Sequence, residues 1–223
     1  MADNHVLYKN GAKEIAHRNG CSITFMAKPD HTWIGNSCHI HGSLWRDGAN
    51  AFVGDPQVFD RFLAGWIACA TELALFLAPT INSYKRYAAG SWAPTTLAWG
   101  RDNRTCGFRI VGHGASRRVE TRIPGGDVNP YLAFAALIAA GLHGIEQELE
   151  LPPALEGNAY ESDAERFPST LRDAVAALEG GSVARGAFGD VVVDHYLNYG
   201  RTEQRLFDRA VTCWERERLF ERG

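Results

Sequence analysis

The stretch from Arg117 to Glu146 constrains this chain more than any other, because it specifies a strand, a turn and a helix in succession. In R-V-E-T-R, Arg118, Glu120 and Arg122 occupy alternate positions, so a strand projects all three from one face. Three charged groups on one face are costly to bury unless they hold something charged. A carboxylate between two guanidiniums can bind a metal through Glu120 and an anionic ligand through the arginines. The same triplet also suits an ordinary cross-strand ion-pair ladder. Asn129-Pro130 then supplies a cap and a first helical residue. The helix it starts, reaching to Leu149, carries an apolar stripe at Phe134, Leu137, Ile138, Gly141, Leu142 and Ile145 that would pin the strand to a core.

A second informative segment runs from Phe25 to Leu44. His39 and His41 are two apart and so share a strand face; they follow Gly35-Asn36-Ser37 and precede Gly42-Ser43. Taken alone, H-x-H is more often hydrogen-bonded structure than a ligand pair. Between the two segments the chain is basic: from Lys85 to Arg122 eight Lys or Arg stand against two acids. Trp92, Trp99, Phe108 and Ile110 interleave these cations, which argues against a merely solvated face and for an anionic small molecule as partner. From Ile145 to Glu179 the balance reverses to nine acids against two arginines, and the net charge of -3 argues against general nucleic-acid binding.

With 223 residues, 45% hydrophobic and 22% charged, the chain has the composition of a soluble globular protein of one domain or two small ones. Its five cysteines are scattered without C-x-x-C spacing, which indicates neither a zinc site nor a disulfide framework and suggests a reducing cytoplasm. No signal peptide is evident at the start, and no apolar run is long enough to cross a membrane.

Periodicity and breakers predict a polar helix over 5–19, strands over 22–27 and 38–45, and a long helix over 57–77 stopped by Pro79. Strands follow over 95–101, 105–111 and 118–123, the first two joined by an Arg101–Arg104 turn. An acidic connector over 151–168 leads to a helix from Ser169 or Thr170 to Gly180-Gly181, which can supply a left-handed cap. The last helical region, 190–222, is expected to break near Gly200. This order fits an α+β domain with a largely antiparallel sheet and helices covering one side.

The succession of H-x-H, N-S-Y-K-R, an A-P turn, R-x-N-R, R-x-E-x-R and N-P-Y-L-A-F resembles the catalytic domain of the glutamine synthetase family, from about Phe25 to Leu151 and more weakly to the end. The resemblance implies a partial catalytic-domain fold, with residues 1–223 as its C-terminal part and the family's amino-terminal domain absent. It implies ATP-dependent ligation of an amine to the γ-carboxylate of glutamate through a γ-glutamyl phosphate, in a protein of homo-oligomeric rings. By motif, His39 and Glu120 would bind Mg²⁺ or Mn²⁺, and His41 and Ser43 would line the nucleotide phosphates. Arg104 and Arg109, around a hairpin, would clamp phosphate; Gly35, Arg86 and Arg122 would hold glutamate; Arg104, Glu120 and Arg122 would serve the chemistry.

Three departures qualify that reading. The family's other metal-binding glutamates have no counterpart upstream, where the acids before Phe25 are Asp3 and Glu14. Trp92 stands where glutamine synthetases carry a glutamate that attracts ammonium; an indole suits an alkylamine instead, as in the γ-glutamyl-polyamine branch. Ala115 replaces a basic nucleotide contact. The alternative is a catalytically incomplete fragment or pseudoenzyme that binds nucleotide or a full-length relative.

Overall fold

The computed structural model describes residues 1–222. Its centre is a four-stranded sheet in the order β1-β6-β5-β4, formed by β1 (Ile40–Gly42), β4 (Trp99–Arg101), β5 (Phe108–Val111) and β6 (Arg118–Thr121). β1, β6 and β5 pair antiparallel, whereas β4 lies parallel to β5. The predicted hairpin over 95–111 is therefore wrong. The loop folds back on itself: Asp102 adopts a positive φ, and Asn103 Oδ1 accepts from Thr105 N at 3.0 Å and Thr105 Oγ1 at 2.7 Å. Asn103 Nδ2 also donates to the Gly157 carbonyl at 2.8 Å, so the chain re-enters the sheet in its original direction.

One sheet face is apolar. Ile40, Phe108, Ile110 and Val119 turn toward α3 (Pro56–Cys69) and α6 (Pro130–Glu146). Asp55 caps α3 by accepting from Gln57 N and Val58 N, with Pro56 in the first turn. Phe59, Phe62, Leu63 and Trp66 form its buried side, each worth about 1.5–3 kcal/mol on leaving water. Tilted ring pairs run from Phe62 to Trp66 (5.2 Å between centroids) and on to Phe108 of the sheet (6.3 Å).

α3 and α6 meet along glycines. A Cβ on Gly65 would fall 2.8 Å from Gly144 N and strike the Ala140 carbonyl oxygen; one on Gly144 would fall 2.6 Å from Gly65 N. Trp66 Nε1 locks the seam by donating to the Leu137 carbonyl at 2.8 Å. The expected stripe on α6 is thus corrected in part: Phe134 and Ile145 pack partly buried against the core. Ala133, Ala136, Leu137, Ala140, Gly141 and Gly144 are buried, while Ile138 is 58% and Leu142 46% exposed. Small residues face inward because close backbone approach leaves no space for large ones.

Other boundaries shift. Residues 22–27 form no strand, and the predicted 57–77 helix divides into α3 and α4 (Ala74–Leu77). Around these lie α1 (Ala2–Arg18), α2 (Ala51–Gly54), α5 (Ile81–Tyr84) and the hairpin of β2 (Trp45–Arg46) with β3 (Ala49–Asn50). Asp47 and Gly48 both have positive φ there, the requirement of a tight two-residue turn. Beyond the connector come α7 (Leu171–Gly180), α8 (Val183–Phe188), α9 (Asp190–Arg209) and α10 (Cys213–Leu219). α9 runs unbroken through Gly200, where a Cβ would lie 2.5 Å from Val175 Cγ2; the glycine serves contact with α7 rather than a break. Gly181 is extended (φ -88°), so the helix before it ends without a left-handed cap.

Candidate active site

The opposite sheet face carries the charges. Register places His41, Glu120, Arg109 and Gly100 side by side across β1, β6, β5 and β4. Alternation on β6 sends Arg118 and Glu120 to this face, and Arg122 continues it just beyond the strand. Glu120 is 3% exposed and has both oxygens engaged. His39 Nδ1 lies 2.9 Å and Arg122 Nη1 3.2 Å from Oε1, and Arg109 Nη1 lies 2.9 Å from Oε2. Burial by itself raises its pKa; hydrogen bonds from His39 and Arg109, with the charges of His39 and Arg122, outweigh burial and bring the carboxyl to about 2.

His39 sits one residue ahead of β1, and His41, within it, points to the same side with Nε2 4.0 Å from Glu120 Oε1. Burial lowers the His41 pKa; Glu120 opposes this, while Arg118, His39 and Arg109 add to it. A neutral imidazole fits the 3.1 Å hydrogen bond that Arg118 Nε donates to its Nδ1. Ser43 lies just past β1, and its Oγ accepts from Trp45 Nε1 at 2.9 Å.

A cavity of about 470 Å³ opens over this face, lined by His39, Trp92, Arg104, Arg109, Glu120 and Arg122. Six of the residues singled out from sequence thus converge from four separate segments. Trp92 has φ 62°, is 59% exposed, and accepts at its carbonyl from Arg122 Nη2 at 3.2 Å. A second opening of about 790 Å³ adjoins it and shares Trp92 and Arg104.

Arg86 and Gly35 do not line that cavity. Arg86, 3% exposed, donates through Nη2 to the Ile123 carbonyl and at 3.4 Å to the Arg122 carbonyl. Its guanidinium stacks on Tyr87 with 4.8 Å to the ring centroid. Gly35 rests on it: a Cβ there would fall 2.7 Å from Arg86 Cγ. Asp102 was not anticipated. Its carboxylate pairs with Arg109 on the side away from Glu120, a contact created by the returning loop that no spacing rule signals. Ala115 lies in a single turn over 114–116, where its carbonyl accepts from Asn50 Nδ2 at 3.0 Å.

His39 and Glu120 fit a divalent cation as a pair. A 2.9 Å N···O separation is what two ligands about 2.1 Å from one ion present at a right angle. One imidazole beside one carboxylate suits Mn²⁺, with Mg²⁺ accepted through oxygen and water. Among the described residues no three His, Cys, Asp or Glu side chains gather around one point.

Comparison with known proteins identifies the family. The family model for the glutamine synthetase catalytic domain matches residues 1–219. The gamma-glutamylethanolamide synthetase of Streptomyces coelicolor is 57% identical over 99% of this chain and 48% of its own length. The glutamate–isopropylamine ligase of a Pseudomonas species is 39% identical over 99% of the chain and 50% of its own. A solved GmaS–ADP complex superposes with a TM-score of 0.91 at 36% identity, covering 99% of this chain and 54% of that one. The chain spans about half the length of the relatives it matches.

Proposed function

This chain belongs to the glutamine synthetase family, and from that premise we propose that it supplies the catalytic-domain face on which glutamate is joined to an organic amine at the expense of ATP. The observation that carries the reading is the convergence of His39, Trp92, Arg104, Arg109, Glu120 and Arg122 on one cavity. Phosphorylating a carboxylate brings two anions together, so cations must offset their repulsion. Arg104 is exposed at the rim and has no acid within ion-pair distance among the described residues, which leaves it available to a transferring phosphate. Arg109 is fixed by Asp102 and Glu120, and Arg122 by Glu120 and the Trp92 carbonyl. Both are thereby oriented before any ligand arrives.

His39 and Glu120 would hold Mg²⁺ or Mn²⁺, which when bound supplies charge neutralisation between ATP and glutamate. His41 and Ser43, on the same edge, would meet the phosphates; the neutral His41 donates without adding charge. Arg86 and Gly35 would hold the glutamate end. Arg86 is a guanidinium out of water with backbone carbonyls as its partners, a setting that strongly favours an arriving carboxylate. Trp92 would wall the amine. Its ring offers apolar area to an alkyl group, in keeping with relatives named for ethanolamide and isopropylamine. Ligands and assembly in a ring are carried over from the family. Among the described residues no helix is long and apolar enough to cross a membrane.

A test is binding of ADP with Mn²⁺ to the chain, followed by calorimetry and by phosphate release with ATP, glutamate and a panel of amines. Binding should require Mn²⁺ and vanish in Glu120→Ala. Metal-independent binding, or binding untouched by that substitution, would sink the proposal. A second reading, a catalytically incomplete nucleotide-binding chain, is favoured by the two-ligand metal pair. Binding without any phosphate release would select it.

A further inference from the structure

Behind the site, the short helix α5 ties together three segments that carry the proposed glutamate contacts. Asn82 brackets one residue of the loop leading to Gly35: Lys28 N donates to its Oδ1 and its Nδ2 donates to the Lys28 carbonyl, both at 2.8 Å. Just past its C-terminus, Arg86 reaches the carbonyls of Arg122 and Ile123 and supports Gly35. The start of α5 is held by a reciprocal cap. Ser83 N donates to Thr80 Oγ1 at 3.2 Å and Thr80 N to Ser83 Oγ at 3.0 Å.

In such a cap each hydroxyl has accepted a backbone bond and must send its own proton elsewhere. Both send it to one atom. Ser83 Oγ lies 2.6 Å and Thr80 Oγ1 2.9 Å from Asp127 Oδ2, across more than forty residues of sequence. Asp127 belongs to the turn after β6, where a Cβ on Gly125 would strike its other oxygen; that oxygen is buried and has no hydrogen-bond partner. Leaving a carboxylate oxygen dry and unpaired costs stability, so the group is placed for its two charge-assisted bonds.

We infer that Asp127 is a positioning residue for glutamate, acting through Ser83 and Thr80 to hold α5, and with it Gly35 and Arg86, in register with Arg122. The glutamate part of this rests on the proposed function; the mechanical part does not.

The test uses the whole chain and two measurements. Amide exchange by NMR should quicken about tenfold at Lys28 and Ser83 in Asp127→Ala, while amides of α3 and α6 keep their rates. Asp127→Asn, which retains an acceptor, should fall between, and Ser83→Ala should reproduce the pattern from the other partner. In titrations the same substitutions should weaken L-glutamate about tenfold and leave ADP with Mn²⁺ unchanged. Unchanged exchange at Lys28 and Ser83, or equal acceleration in α3 and α6, overturns the inference. So does faster exchange with glutamate affinity intact. An unmodified chain that fails to bind L-glutamate would instead refute the reading of the site, and the exchange measurements would still decide the mechanical role of Asp127.

Discussion

Replacing Glu120 by glutamine should make the metal-free chain less stable by an amount that depends on pH in a calculable way. Glutamine keeps the shape of a protonated carboxyl and cannot ionise. The folded chain holds Glu120 at about 2 against an ordinary 4.5, and at 3% exposure little of that difference is screened by water. At 1.36 kcal/mol per unit, the ionised side chain contributes about 3 kcal/mol near neutrality. Because the folded value is depressed, this stability is fully present above 4.5 and drains away as pH falls toward 2. The gap between the parent chain and Glu120→Gln should therefore be about 3 kcal/mol at pH 7, less than half of that at pH 3 and nearly gone at pH 2. Urea unfolding of both proteins at those three values, with a chelator present, measures it, and other carboxylates cancel in the difference. A gap that stays constant across the range, or is absent at neutrality, would show that His39, Arg109 and Arg122 do not hold this carboxylate as described.

Gly65→Ala should lower stability by about 1–3 kcal/mol in urea unfolding, although the same change on an exposed helix would raise it, because the added methyl meets the α6 backbone; an unchanged or higher midpoint would mean the helices are not in backbone contact. Mn²⁺ should broaden NMR signals around His41 and Arg109 with an affinity of about millimolar, the weak hold of two protein ligands, and His39→Ala should abolish the effect. Broadening that survives His39→Ala would move the metal elsewhere. In any assay showing turnover, Trp92→Glu should favour ammonia over ethanolamine or putrescine by roughly 1–3 kcal/mol, about 5- to 150-fold, since a carboxylate stabilises ammonium and an indole covers methylene groups; an unaltered ratio would show that Trp92 does not face the amine.

Alternation in R-V-E-T-R was enough to place Glu120 and its arginines on one face, since a two-residue period leaves a strand no other option. The cap at Asn129-Pro130 was equally direct: Asn129 Oδ1 accepts from Tyr131 N at 3.0 Å. Where reading failed, the deciding contact lay far away in sequence. The direction of β4 relative to β5 depends on Asn103 reaching Gly157, and continuity of α9 depends on Gly200 lying against Val175. Hydropathy misjudged part of α6: Leu137 is buried as the stripe requires, whereas Ile138 and Leu142 face outward and alanines and glycines fill the rest of the seam. Only Gly65 of α3 and Gly144 of α6 reveal that the seam is narrow, and a periodicity count passes over them.

That glycine seam also determines where the molecule can yield. Helices that mesh through long side chains can exchange one set of rotamers for another and slip past each other by small steps. α3 and α6 touch backbone to backbone at Gly65 and Gly144, with the Trp66–Leu137 bond as a latch, so sliding would require them first to separate. Such a joint has one seated position and no neighbouring notch. The floor beneath β6 is in this sense an anvil, and any adjustment to the size of a ligand falls to the rim, where Trp92 and the loop from Asp102 to Thr105 stand clear of the seam.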